Sequence, residues 1–329
     1  MRILAKAAIG VCIAISAIYI ANASWAWGRP GRASLITHLG LSQHFDERGL
    51  SLQACKADRM LPPTHAYLEN TIAGVGRAFA LGADIADIDV QPTKDDDYVV
   101  FHDAEVDCRT DGHGSPWDLT VAQLKRLDIG YGYTADKGRT FPFRGKFVGA
   151  MPTLAEMLEA FPGRRFMLVM KSNNPDEADL LLAYLRRHRV DPGRIQVMGG
   201  DRPARRLHEL APTLRVGSQQ AMKSCLTRYL AIGWSGAIPS ACRNAVVMVP
   251  LNYRKVVWGW PNLFVQRMAR VNSAVVLIGN VERHSDRPGM NGIDTAEQLA
   301  VLPRDYAGQV FAGRIEVVGP SARARGMLN

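Results

Sequence analysis

Short apolar runs alternate along the chain with longer segments in which apolar residues recur at helical spacing. The short runs are bounded by Gly, Pro or polar residues, as buried strands are, and they lie at 34–38, 85–90, 98–101, 165–171, 194–198, 214–217, 246–250, 274–278 and 310–312. The helical pattern separates most of them, at 70–81, 177–188, 202–210, 222–232, 263–271 and 295–302. A further helix is predicted after Thr153, because Glu156 follows it three positions later as in a capping box.

Strands that alternate with helices predict right-handed βαβ units and a parallel sheet. Eight such strands in one uninterrupted domain favour a TIM (β/α)8 barrel over an open doubly wound sheet, so we predict an α/β barrel. Neither a G-x-G-x-x-G nor a P-loop sequence follows an early strand, which argues against a nucleotide-binding fold. An insertion after the second strand region, 107–150, is rich in Gly, Asp and aromatic residues. Its length and composition predict a loop that lies over a functional site at the end of the barrel.

The N-terminus has the pattern of an export signal. Arg2 and Lys6 precede an apolar stretch at 7–23, which is typical of a signal peptide or a single membrane anchor. The sequence therefore divides into two parts: residues 1–32, a signal peptide or anchor with a short linker, and residues 33–329, one domain that holds the predicted barrel.

Two features near residue 23 leave the fate of this segment open. Ala21, Asn22 and Ala23 form an A-x-A cleavage pattern, whereas Trp25 and Trp27 would suit a membrane interface. We expect an exported protein, either released into the periplasm or extracellular space or held at the membrane by this segment.

Composition narrows the class of protein. Apolar residues make up 47% and charged residues 22%, which is ordinary for a packed globular protein. The net charge of +9 favours phosphate-bearing partners. The Lys and Arg residues are scattered and accompany no recognised nucleic-acid motif, so nucleic acid is not an expected partner.

Four of the five cysteines lie in the predicted exported part of the chain. An oxidising compartment would allow them to form two disulfides by any of three pairings. We favour Cys55–Cys108 with Cys225–Cys242, because that pairing keeps partners within the same region of the chain.

Polar residues with catalytic potential follow the early strands. Asp87 and Asp89 point to the same side of their strand, where two buried carboxylates would repel each other unless a cation lay between them. A hard divalent ion such as Mg²⁺ or Ca²⁺ fits that need, and the alternative is a helix cap or an arginine partner. His38 and His102 each end a predicted strand, and a barrel brings such strand ends together.

Several ordered motifs resemble those of the glycerophosphodiester phosphodiesterase family. They are Glu69-Asn70-Thr71, Gly82-Ala83-Asp84, Asp87-Ile88-Asp89-Val90, Thr93-Lys94-Asp95, Val99-Val100-Phe101-His102-Asp103 and Met151-Pro152-Thr153-Leu154-x-Glu156. The resemblance implies a barrel of the PLC-like phosphodiesterase type that hydrolyses glycerophosphodiesters to glycerol 3-phosphate and an alcohol.

The resemblance also implies roles for individual residues. His38 and His102 would be the acid/base pair, Asp87 and Asp89 the metal ligands, and Lys171 the phosphate-binding lysine. Glu69 is a further candidate metal ligand, and the metal would be Ca²⁺ or Mg²⁺.

Four positions depart from the family pattern. Two are Asp87, where a glutamate is usual, and about Leu277, where the family has a tryptophan. The other two each remove a charged side chain. Leu39 replaces an arginine that would grip phosphate, and Val169 replaces a third-strand glutamate. Two alternatives to the hydrolase therefore remain open. One is a weak or inactive barrel that binds a phosphodiester or lipid headgroup, and the other is a phospholipase-D-like enzyme acting on intact phospholipid. Arg109 and Asp111 are predicted to tie down the insertion.

Overall fold

The computed structural model describes residues 2–51, 54–281 and 291–328. Among these residues there are nine strands: β1 (Ser34–His38), β2 (Ile85–Pro92), β3 (Tyr98–Val100), β4 (Arg165–Met170), β5 (Ile195–Met198), β6 (Arg215–Gly217), β7 (Val246–Pro250), β8 (Ala274–Ile278) and β9 (Gln309–Ala312). Every predicted strand is present, with ends that agree to within two residues. Apolar runs with sharp polar boundaries account for this agreement.

The same described part of the chain contains eleven α-helices. They are α1 (Arg2–Ala21), α2 (Ser24–Trp27), α3 (Ile72–Ala80), α4 (Val121–Leu124), α5 (Leu154–Ala160), α6 (Asp176–Arg187), α7 (Asp201–Leu210), α8 (Gln219–Ile232), α9 (Asn262–Ala269), α10 (Ala296–Ala300) and α11 (Ile315–Ala324). The capping box at Thr153 and Glu156 forms as predicted and starts α5.

Eight of the strands form a nearly closed parallel barrel in the order β6-β5-β4-β2-β1-β9-β8-β7. A single parallel bridge, from Val216 to Ala245, joins the first and last of them. This confirms the predicted TIM barrel. β3 is the exception, because it follows β2 without a helix and pairs with it antiparallel, Val90 opposite Val100.

The barrel has an apolar interior as well as an apolar layer beneath its helices. The interior cluster consists of Ile36, Ile85, Met167, Met198, Val246, Met248, Val276, Ile278 and Phe311. Within the barrel, the Gln196 side-chain amide donates a hydrogen bond to the Gln309 side-chain oxygen at 3.1 Å, which gives two buried amides a partner. The filled interior restricts a ligand to the end of the barrel.

The predicted insertion packs against the β1–α3 loop through a core of its own. This second core includes Met60 and Leu68 from that loop, together with Leu124, Tyr133 and Phe143 from the insertion. A disulfide joins the two segments.

The disulfides are Cys55–Cys108 and Cys225–Cys242, which are the pairings that the sequence favoured. Two disulfides are typical of a protein that folds in an oxidising compartment. The first links the loop after β1 to the insertion, and the second links α8 to the segment before β7.

The residues that follow α1 contact the barrel domain. Asn22 accepts a hydrogen bond from Arg267 at 2.8 Å, and the Ser24 hydroxyl accepts from the backbone N–H groups of Asn262 and Leu263 at 2.9 and 3.1 Å. No helix in the described ranges reaches the length and apolarity needed to cross a bilayer.

Candidate active site

His38 is the last residue of β1 and lies at the carboxyl end of the barrel. Its ring centroid is 5.3 Å from that of Phe311, on the neighbouring strand β9. Burial lowers the pKa of His38 to about 4; the nearby Asp89 carboxylate opposes this shift and His102 adds to it. His38 is therefore neutral at neutral pH and able to accept a proton.

Asp87 and Asp89 lie on β2 beside this histidine, with His38 in register with Asp87. Asn70 brackets Asp89: its amide donates to Asp89 Oδ2 at 2.9 Å, and Asn70 Oδ1 accepts from the Asp89 N–H at 3.2 Å. Lys171 Nζ is 3.2 Å from Asp89 Oδ1. Burial opposes ionisation of Asp89, but Lys171, His102 and Asn70 outweigh it and lower the pKa of that carboxyl.

Asp87 differs electrostatically from Asp89. Its Oδ1 is buried and has no hydrogen-bond partner among the described residues. Burial and the neighbouring Asp89 charge raise its pKa well above the ordinary value, and Lys171 only partly opposes them. Burial and the Asp89 charge therefore both disfavour the charged form of Asp87.

His102 follows β3 and is oriented by the next residue. Its Nδ1 lies 2.6 Å from Asp103 Oδ1, and Asp103 Oδ2 accepts from Arg109 Nε at 2.7 Å. Burial disfavours the charged form of Asp103, but the Arg109 guanidinium and the hydrogen bond with His102 outweigh it and hold the pKa of that carboxyl well below its usual range. Asp103 is therefore ionised and accepts a hydrogen bond from His102 Nδ1–H.

Arg109 also holds Glu69, which precedes Asn70. Its Nη1 donates to Glu69 Oε1 and, at 2.6 Å, to the Tyr133 hydroxyl, which in turn donates to Glu69 Oε1 at 2.7 Å. The other carboxylate oxygen, Glu69 Oε2, is buried and has no hydrogen-bond partner among the described residues. The sequence indicated that Arg109 ties down the insertion; in the structure it also reaches the site.

A divalent cation fits these carboxylates in one respect. Buried carboxylate oxygens need a donor or a cation, and Asp87 Oδ1 and Glu69 Oε2 have neither within the described part of the chain. The same part of the chain contains no group of three or more His, Cys, Asp and Glu side chains arranged to hold a metal. Metal binding by Asp87, Asp89 and Glu69 stays a prediction.

The departures from the family pattern at Leu39 and Val169 change the lining of the site. Leu39 adopts a left-handed conformation, φ 59°, and its side chain is buried, so no cation extends from this position. Val169 lies in register with Asp89 and packs against the apolar barrel interior. The cation beside Asp89 is therefore supplied by Lys171, with which it forms an ion pair.

The opposite side of the barrel end is apolar. Met198 and Ile278 end β5 and β8, and Met222 in the first turn of α8 packs against the same interior cluster. The site is therefore divided into a polar side, formed by β1, β2 and β4, and an apolar side.

Three residues of the polar side were not predicted to belong to the site: Asn70, Asp103 and Tyr133. Asn70 and Asp103 directly follow Glu69 and His102 in the sequence motifs, and this position next to predicted site residues could have identified them. Tyr133 lies 64 positions from its partner Glu69, in a segment without periodicity, and carries no such signal.

The fold and the site together define a class of protein: a TIM barrel with histidine, aspartate and lysine side chains at the carboxyl ends of its strands. Residues 58–185 match the family model described as the glycerophosphoryl diester phosphodiesterase family. This range includes Asp87, Asp89, His102 and Lys171, whereas His38 precedes it.

Individual relatives agree with the family model. The chain is 32% identical over 155 residues to a glycerophosphodiester phosphodiesterase from Caldanaerobacter subterraneus, covering 45% of this chain and 60% of that protein. It is 31% identical over 129 residues to a mouse lysophospholipase D, covering 37% and 39%. The matched region thus spans less than two thirds of either relative.

A solved structure extends the likeness in fold to most of the chain. An Oleispira antarctica phosphodiesterase in complex with the product sn-glycerol-3-phosphate superimposes with a TM-score of 0.52 and 18% identity, covering 92% of this chain and 98% of that one. This structural likeness shows the fold, and residues 58–185 carry the sequence match to the glycerophosphoryl diester phosphodiesterase family model.

Proposed function

We propose that this protein hydrolyses glycerophosphodiesters to glycerol 3-phosphate and an alcohol. The observation that carries the proposal is that His38, His102 and Lys171 all lie close enough to Asp89 to act electrostatically on its carboxylate. The family match supports the same reaction, and the Oleispira structure holds its expected product.

The two histidines differ in a way that suits acid–base chemistry. Neutral His38 accepts the proton of the attacking hydroxyl as that oxygen bonds to phosphorus. His102, whose ring is held at Nδ1 by Asp103, donates a proton to the departing alkoxide as its bond to phosphorus breaks. When the attacking group is the substrate's own glycerol hydroxyl, the product is a cyclic phosphate that water then opens.

Lys171 and a divalent cation would stabilise the charge on the phosphoryl oxygens. The Lys171 ammonium lies at the entrance, with 24% of its side chain exposed, and can approach an anionic ligand. Asp87, with Asp89 and Glu69, would hold the cation, either Ca²⁺ or Mg²⁺, through oxygen ligands. When bound, the cation would polarise the phosphodiester as a Lewis acid.

A second candidate reaction is the same cleavage on a lysophospholipid. The apolar side of the site, formed by Met198, Ile278 and the partly exposed Met222, favours it, because this side offers an acyl chain a surface beside the polar side chains. One curated relative is a lysophospholipase D, which supports this candidate.

We also propose that the protein is exported, which would bring it to a compartment where these substrates occur. Residues 1–32 would direct the chain out of the cytoplasm, and the two disulfides fit an oxidising destination. Phosphodiesters released from membrane lipids would be within reach there.

Phosphorus NMR of the purified protein with Ca²⁺ or Mg²⁺ tests the proposal and separates the two substrates. We expect glycerophosphocholine to yield glycerol 3-phosphate. If lysophosphatidylcholine alone is cleaved, to lysophosphatidic acid, the second candidate replaces the first. A folded protein that cleaves neither substrate with either cation would refute hydrolysis at this site.

A further inference from the structure

Arg109 is a buried cation with partners on both sides of the site. Only 3% of its side chain is exposed, and its Nε and Nη1 donate to Asp103, Glu69 and the Tyr133 hydroxyl. The rings of Phe45 and Tyr133 lie 5.7 and 5.5 Å from the guanidinium carbon. A buried charge this fully paired holds its partners in fixed positions, because removing it would leave buried carboxylates uncompensated.

One of those partners determines where His102 carries its proton. Asp103 presents Oδ2 to Arg109 and Oδ1 to His102 Nδ1. Since the ionised carboxylate can only accept, neutral His102 keeps its proton on Nδ1 and leaves Nε2 without one. Nε2 is then the nitrogen through which a proton can be exchanged with a substrate.

We propose that Arg109 is a positioning residue for the reaction, acting through Asp103 on the tautomer of His102 and through Glu69 on the acidic side of the site. Neither role follows from tying down a loop. The proposal rests on the proposed function, because His102 must exchange a proton with substrate for the tautomer to affect turnover.

The insertion supplies Arg109, and the structure fixes its backbone there. Cys108, the preceding residue, is bonded to Cys55 of the β1–α3 loop. Tyr133 comes from the same insertion and shares Glu69 with Arg109. The insertion therefore completes the site from behind His102.

Asp103→Asn tests the tautomer directly. Arg109 Nε must find an acceptor, so the new carbonyl oxygen should face Arg109 and the amide should face His102. An amide that donates to Nδ1 forces the proton onto Nε2, and we expect kcat to fall about 100-fold or more while KM changes little. Arg109→Lys keeps the charge but loses the two-sided contact, and we expect a loss of roughly tenfold in kcat.

A surface pair provides the matched control. Arg206 Nε lies 3.0 Å from Asp179 Oδ2, far from the site on α7 and α6, so Arg206→Lys should leave kcat and KM unchanged. ¹⁵N-histidine NMR provides a readout that does not depend on turnover. His102 should be the Nδ1–H tautomer in the wild type and the Nε2–H tautomer in Asp103→Asn.

The outcomes separate this inference from the proposed function. If the wild type cleaves no phosphodiester but the tautomer changes as expected, the proposed function fails and the orientation of His102 stands. Wild-type kcat in both Asp103→Asn and Arg109→Lys, or an unchanged His102 tautomer in Asp103→Asn, would overturn the role of Arg109.

Discussion

Neutral His38 should make the stability of the fold depend on pH in a defined window. Its pKa is lowered to about 4 by burial, whereas an unfolded histidine titrates near 6.5. Between these values the unfolded chain binds a proton that the folded chain does not. Stability from this residue is therefore present above pH 6.5 and is lost as the pH falls toward 4.

The size of the effect follows from the two pKa values. A difference of about 2.5 between folded and unfolded states corresponds to roughly 3 kcal/mol, most of it lost by pH 4.5. Replacing His38 by Asn removes the titration and keeps a neutral, polar side chain. The wild type should then lose about 2.5 kcal/mol more than His38→Asn between pH 7 and pH 4.5.

Urea unfolding of both proteins at the two pH values, with a chelator present, measures this difference. Titrating groups remote from His38 contribute to each protein alike, so comparing the two pH dependences isolates His38 together with its coupling to Asp89 and His102. Equal pH dependence in the two proteins would mean that burial does not hold His38 neutral, and its assignment as the proton acceptor would lose its basis.

Two further predictions concern the disulfide near the site and the missing carboxylate. Replacing Cys55 and Cys108 by Ser should lower kcat for glycerophosphocholine, because the backbone that carries Arg109 is then no longer fixed. The same change at Cys225 and Cys242 should lower the free energy of unfolding by about 2–5 kcal/mol and leave kcat of the folded protein nearly unchanged. Equal losses of kcat in the two variants, after correction for the folded fraction measured by circular dichroism, would contradict this prediction. Val169→Glu should tighten Ca²⁺ or Mg²⁺ binding roughly tenfold or more in calorimetric titration, because it adds a carboxylate beside Asp89; unchanged affinity would mean that no cation binds next to this strand.

The barrel was predictable from the sequence because its strands are apolar runs with polar ends. β7 and β8 occur at the predicted residues, 246–250 and 274–278. α11 was not predicted, since Gly319 and Pro320 interrupt its apolar pattern, yet it forms and buries Ile315 and Val318. Packing against the barrel outweighs the low helix propensity of those two residues.

The site was predictable where its residues end strands, and not where they come from the insertion. His38 ends β1 and His102 follows β3, as the sequence predicted. Arg109 and Tyr133 reach the site only because the insertion folds onto the β1–α3 loop through long-range contacts. No local pattern in the sequence encodes that contact, so the network behind His102 required the structure.

The central claim is that His102 exchanges a proton with a glycerophosphodiester at the end of the barrel. The most direct measurement is cation-dependent release of glycerol 3-phosphate from glycerophosphocholine, followed by phosphorus NMR, for wild type and His102→Ala. Product release by the wild type and its loss in a His102→Ala variant with normal thermal unfolding is the predicted result. Equal rates in the two proteins would contradict it.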